Sequence, residues 1–183
     1  SEAINPKSEI RNPKSVKLVA NLPYYISTAI LQKLIEQRAV FSEMVLMFQR
    51  EVVKRITAQA GGKERGFLSV LVQNYLETEK LFDVPPTAFR PAPKVWSAVV
   101  RLKPKVDVEI INEQLFREIV SAAFAQKRKT IFNNLKNSSP VLSERIGDVH
   151  RLLENCGIEP SRRAETLEIE EWRCLVIFLE KSL

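Results

Sequence analysis

The periodic part of the chain begins at Val16. Val16-Lys17-Leu18-Val19-Ala20 is an apolar run of strand length, and Met44-Val45-Leu46-Met47-Phe48 is a second, apolar enough to read as a buried strand. Between them Ile30, Leu31, Leu34 and Ile35 recur at helical spacing, with Ser27 or Thr28 placed to cap the helix. Helical spacing returns over 51–60 through Val52, Val53 and Ile56 until Gly61-Gly62 breaks it. It returns again over 66–76, with Leu68, Leu71, Val72 and Tyr75 on one face. Residues 77–84 and 95–102 read as strands joined by PPTAFRPAP, whose prolines hold a connector extended and stiff. Such a pair is expected to be antiparallel and to close the edge of an otherwise parallel sheet.

After Lys103-Pro104-Lys105 the pattern is helical throughout. Residues 112–136 predict one or two amphipathic helices with Leu115, Phe116, Ile119, Val120, Ala123 and Phe124 inward, and 143–156 and 168–181 add one each. The predicted organisation is therefore half of an α/β sheet followed by a helical domain. Residues 1–15, in which Asn-Pro-Lys-Ser occurs twice among few apolar side chains, predict a flexible leader. The domain expectation is 1–15 leader, 16–105 partial α/β domain and 106–183 helical domain.

Composition narrows the class only a little. An apolar fraction of 45% with 27% charged residues is ordinary for a globular chain. No apolar run approaches the roughly 20 residues of a membrane span, so no membrane partner is expected. Cys156 and Cys174 stand far apart, and the one histidine, His150, has no ligand partners in sequence, so no metal site is expected. Two unpaired cysteines suit a reducing cytoplasm. The net charge of +6 permits a polyanionic partner. Its placement says more: QKRKT at 126–130 and Ser161-Arg162-Arg163 concentrate cations in the last third. A basic triplet serves equally as a solvated face or as a phosphate-binding patch.

The stretch carrying the most chemistry is VANLPYYIS, residues 19–27. In an open α/β sheet, ligands bind at the carboxyl end of the strands, where this stretch falls. Asn21 offers a side-chain acceptor, Pro23 directs main-chain carbonyls away from a ladder, and Tyr24 supplies a stacking face. Two convergent acceptors and a ring suit an extruded adenine held by its exocyclic amine. A strand-ending turn with tyrosines packed in the core accounts for the same residues.

NLPYYIS resembles a conserved-order motif of the KsgA family of small-subunit rRNA adenine dimethyltransferases. MVLMFQREVVKRITAQAGGKERGFLSVLVQNY, LFDVPPTAFRPAPKVWSAVVRLKP, AFAQKRKTIFNNLK and RRAETLEIEEW follow in the family's order, from about Val16 to the C-terminus. The Erm resistance methyltransferases, which act on large-subunit rRNA, share the early motifs; FRPAPKVWSAVVRL and the helical tail lean towards KsgA. The resemblance implies the carboxyl-terminal half of a Rossmann-like class I methyltransferase sheet followed by a small all-α domain. It implies dimethylation of adjacent adenines in 16S-type rRNA, with a pre-30S-like particle as partner, in the cytoplasm. Asn21 and the carbonyls of Leu22 and Pro23 would accept from the target amine, and Tyr24 and Phe89 would sandwich the base. Phe89 as a hydrophobic plug under the proline loop is the alternative. Arg90, Lys94, Lys127, Arg128 and Lys129 would meet RNA, although Arg90 and Lys94 could instead pair with Glu79 or Asp83. Lys127–Lys129 are placed at a helix end, and the AGGKERG stretch at 60–66 is read as a flexible gating loop.

The family's methyl donor is S-adenosylmethionine, and here the chain departs from the pattern. Its five glycines include no GxGxG arrangement, and of the family's cofactor residues only Asn21 is matched. The expectation is a truncated or partial dimethyltransferase with impaired cofactor binding. Self-association through an exposed sheet edge is expected with it. The alternatives are a non-catalytic RNA- or ribosome-binding module, or an Erm-type enzyme.

Overall fold

The computed structural model describes residues 16–105 and 112–181. The expected leader over 1–15 lies outside them, as do residues 106–111 behind the expected domain boundary. Two compact units are present: among the described residues one gathers 16–53 with 75–105, and the other joins 54–74 to 112–181. The expected domain limits cut the chain once, at 105, whereas these units interleave along it.

The first unit is a four-stranded sheet in the order β1-β2-β4-β3, formed by β1 (Val16–Asn21), β2 (Phe41–Gln49), β3 (Leu76–Val84) and β4 (Ser97–Pro104). β1 and β2 are parallel, as their connection through helix α1 (Ser27–Glu36) requires. β4 runs antiparallel to both β2 and β3, so the antiparallel pair expected from the proline-linked strands is present. The run at 44–48 forms the expected strand, with burial that alternates along it. Met44, Leu46 and Phe48 are buried opposite Leu102, Val100 and Ala98, while Val45 and Met47 on the other face are only half-buried. β1 has one neighbour among the described residues, and its Val19 is 78% exposed.

α1 buries Leu31, Leu34 and Ile35 as its spacing predicts. Its cap differs from expectation. Ile26 occupies the N-cap without a side-chain bond, and Ser27 Oγ instead donates to the Tyr24 carbonyl at 2.8 Å. The prolines between β3 and β4 do not hold an extended rod: Pro86–Ala88 forms a 3-10 turn and the Arg90–Pro91 peptide is cis. Short helices α2 (Arg50–Ile56) and α3 (Phe67–Tyr75) fall where the periodicity places them, and each spans a boundary between the two units.

The second unit is helical: α4 (Glu113–Ala123), α5 (Ile131–Lys136), α6 (Pro140–Ile146), α7 (Val149–Asn155) and α8 (Ile169–Lys181). Its short helices are each defined by a side-chain cap. Asn112 accepts from the Leu115 N–H, Thr130 from Asn133, Ser139 from Leu142, and Asp148 from His150 and Arg151. The single helix expected over 143–156 is thereby two, because Asp148 caps a new start directly after Gly147 at φ 63°. α7 ends in a Schellman turn: Gly157, at φ 64°, donates to the Glu154 carbonyl, and Ile158 donates to Leu153. Trp172 of α8 is fully buried, with the Phe124 ring stacked 5.7 Å away.

Cys156 and Cys174 are not unpaired. The end of α7 and the middle of α8 bring their Cα atoms to 5.7 Å and the sulfurs form a disulfide. The sequence separation of 18 hides this, because the Gly157 turn reverses the chain between them.

Candidate functional site

At the carboxyl end of β1, Asn21 lies opposite Met47 in the parallel ladder, and the Leu22 N–H donates to the Met47 carbonyl at 3.4 Å. The ladder stops there because Pro23 has no N–H to continue it. Pro23 sits at φ −61°, ψ 130° and leads into a 3-10 turn over Tyr24–Ile26. That turn consumes acceptors in order. Ile26 N–H donates to the Pro23 carbonyl at 3.4 Å, and both the main-chain N–H and the hydroxyl of Ser27 donate to Tyr24. Asn21 is exposed, and its amide has no hydrogen-bond partner among the described residues.

The Tyr24 ring is fixed at its far end, where its hydroxyl and Ser97 Oγ share a hydrogen bond of 2.5 Å. Ser97 opens β4 and is fully buried. Tyr24 is half-buried, whereas Tyr25 is 88% exposed and makes no part of the cleft. The proline-rich connector contributes to the same cleft. Asn21, Leu22, Pro23, Tyr24, Phe89, Pro91 and Pro93 together line an open cleft of about 350 Å³, a size at which small ligands are held. The structure thus brings NLPY and AFRPAP, read separately in the sequence, into the lining of one cleft.

Arg90 and Lys94 flank the cleft and are exposed. The acids considered as their partners are engaged elsewhere: Glu79 pairs with Arg101, and Asp83 with Lys80 at 2.8 Å.

In the helical unit, Lys127, Arg128 and Lys129 are exposed but do not end a helix. α4 stops at Ala123, and the triplet forms a turn leading to Thr130, the cap of α5. The expected gain from a helix C-terminus is therefore absent. Lys127 Nζ donates to the Lys63 carbonyl at 2.9 Å, and the Ile131 N–H to the Arg162 carbonyl at 2.8 Å. Of the Arg162-Arg163 pair, Arg162 is ion-paired with Glu171, and Arg163 is exposed.

The AGGKERG segment is not the loose loop its composition predicts. The Gly61 N–H donates to the Glu165 carbonyl at 2.7 Å, and Arg65 is 2% exposed. Its guanidinium donates to Ala58 O, Gln73 Oε1 and Leu167 O at 2.8–3.0 Å. Burial lowers the Arg65 pKa, and the nearby Glu168 carboxylate opposes that shift. Ser97 and Arg65 are the residues that sequence reasoning missed. A serine heading a valine-rich run and an arginine between glutamate and glycine carry no local signal of burial.

The cleft residues do not fit S-adenosylmethionine. Among them there is no carboxylate to accept from ribose hydroxyls and no glycine to admit a close backbone approach.

Comparison with known proteins places this geometry in a family. The ribosomal RNA small subunit methyltransferase A of Bacillus cytotoxicus is 44% identical over 171 residues, which are 92% of this chain and 59% of that protein. This chain therefore spans well under two thirds of the curated relatives it matches. A dimethyladenosine transferase from Plasmodium falciparum superposes with a TM-score of 0.75 at 26% identity, covering 90% of this chain and 68% of that one. The 23S rRNA methyltransferase ErmE, at 21% identity, shares the fold with a TM-score of 0.63 over 92% of this chain and 66% of its own. The fold is accordingly that of the class I methyltransferases. Residues 3–175 match the family described as ribosomal RNA adenine dimethylase, and the chain belongs to that family.

Proposed function

We propose that this chain supplies the target-base and RNA-binding parts of an S-adenosylmethionine-dependent rRNA adenine N6-dimethyltransferase acting on adjacent adenines of small-subunit rRNA. The observation that carries the reading is the cleft itself, which Asn21, Tyr24 and Phe89 line together. An adenine amine has two N–H donors. Asn21 Oδ1 accepts one, and a main-chain carbonyl of the lip accepts the other. Since the Pro23 carbonyl already receives the Ile26 N–H, Leu22 is the better placed of the two. Holding both protons in the plane of two acceptors localises the nitrogen lone pair and orients it for attack. The Tyr24 hydroxyl is tied to Ser97, so the ring is held ready to stack on an extruded base.

S-adenosylmethionine, as the family's donor, supplies an electrophilic methyl group when bound. The described residues do not form its site, and we infer weak cofactor binding by this chain alone. Saturable micromolar binding in calorimetry would overturn that inference. Arg90, Lys94, Arg128 and Lys129 provide phosphate contacts, and a pre-30S-like particle in the cytoplasm is the partner this implies. Self-association through the β1 edge, where Val19 is exposed, would appear as dimers in sedimentation.

The test is binding to isolated small subunits. Undermethylated subunits should be retained over fully methylated ones, and Asn21→Ala should abolish that preference without abolishing binding. Equal retention of both by the unaltered chain would refute the reading. A non-catalytic module with the same cleft is the second reading, supported by the poor fit to the methyl donor.

A further inference from the structure

Beyond the lip of the cleft, one backbone hydrogen bond follows the end of the β2–β4 ladder. Gln49 opposes Ser97 as the last registered pair, and the Arg50 N–H donates to the Trp96 carbonyl at 2.9 Å. This one bond joins the first residue of α2 to the residue before β4, and the Arg50 guanidinium lies over the indole, 5.2 Å from its ring centroid. Trp96 is nevertheless 42% exposed. The other tryptophan, Trp172, is fully buried, so Trp96 presents apolar area to solvent that the core does not use. Exposed Lys94 stands two residues before it.

The position of this pair gives it a use. Trp96 is the chain neighbour of Ser97, the residue that fixes the Tyr24 ring. Ser97 is fully buried while the neighbouring Trp96 is exposed, so the indole is open to solvent directly beside the residue that holds Tyr24. A single strand crossing that end could place one base against Tyr24 and the next against the indole. An aromatic face supported by a guanidinium, with a lysine close by, has the chemistry of a single-strand stacking site. Cations at Arg50 and Lys94 match the phosphates on either side of such a base.

We propose that Trp96, backed by Arg50, stacks the base of the nucleotide next to the target adenine. The proposal rests on the reading of the Asn21–Phe89 cleft as the target-base site, and it assigns Trp96 a binding role that the cleft does not require.

The chain contains its own probe, because Trp172 is buried and Trp96 is not. Titration with a single-stranded oligoribonucleotide carrying two adjacent adenines should quench tryptophan emission saturably. Trp96→Phe should remove the quenching while retaining affinity, since phenylalanine still stacks. Trp96→Ala should weaken binding about tenfold. An oligoribonucleotide with an abasic site beside the adenine should lose the same factor on the unaltered chain and nothing further on Trp96→Ala. Binding that depends on Tyr24 but neither quenches Trp96 nor responds to the abasic site would overturn the stacking proposal and leave the cleft reading intact. No binding of either oligoribonucleotide would overturn both. Quenching by the abasic strand equal to that by the intact one would mean that Trp96 meets something other than the neighbouring base.

Discussion

The Tyr24 hydroxyl and the Ser97 hydroxyl share a 2.5 Å hydrogen bond across 73 residues of sequence. It links the turn after β1 to the first residue of β4, and it sets the tilt of the ring that lines the cleft. Its removal should be measurable without any ligand. Tyr24→Phe and Ser97→Ala should each lower unfolding free energy in urea by about 1 kcal/mol. The double variant should cost less than the sum, by about 1 kcal/mol of coupling. Strict additivity would show that the two hydroxyls act independently.

Arg65 should be the most sensitive residue of the second unit. Its guanidinium serves two carbonyls and the Gln73 amide oxygen, all of which lose a donor in Arg65→Ala. The expected loss is on the order of 3 kcal/mol, with faster proteolysis within the Ala60–Gly66 segment. A variant as stable as the parent would mean that the segment is not held by this side chain.

The basic turn should divide into two kinds of cation. Arg128 and Lys129 are exposed, whereas the Lys127 amine is bound to the Lys63 carbonyl. Arg128→Ala and Lys129→Ala should each reduce the slope of log affinity for RNA against log salt by about 1. Lys127→Ala should change the slope less. Equal slopes for all three variants would contradict the division.

Thiol titration checks the cysteine pairing. Protein purified without reductant should show no free thiol in denaturant, and two after reduction. Cross-linking across a separation of 18 residues should add about 3 kcal/mol to stability. Free thiols in the unreduced protein would contradict the pairing.

The sequence was most legible where pattern and chemistry are local. The stripe of α1, the antiparallel β3–β4 pair and the NLPY lip follow from spacing, prolines and an amide at a strand end. What escaped was set by contacts distant in sequence. Ser97 reads as one more strand residue until Tyr24 is placed beside it. Arg65 reads as a solvated loop cation until the 164–167 turn closes over it. The helix expected over 143–156 failed for a local reason: Gly147 and a capping Asp148 are weak signals inside a strong apolar period. Lys127–Lys129 were placed on a helix because the inward pattern of α4 runs to Phe124, and nothing in composition marks the turn that follows.

The account stands most directly on recognition of the adenine amine. Two single-stranded oligoribonucleotides, identical except for N6,N6-dimethyladenosine in place of one adenosine, should bind the chain unequally. Dimethylation removes both N–H donors, so affinity should fall about tenfold, as expected when acceptors covered by the bound base lose their partners. That difference should vanish in Asn21→Ala. Equal affinity of the unaltered chain for both strands, or a difference that survives Asn21→Ala, would contradict the assignment of Asn21 to the target amine.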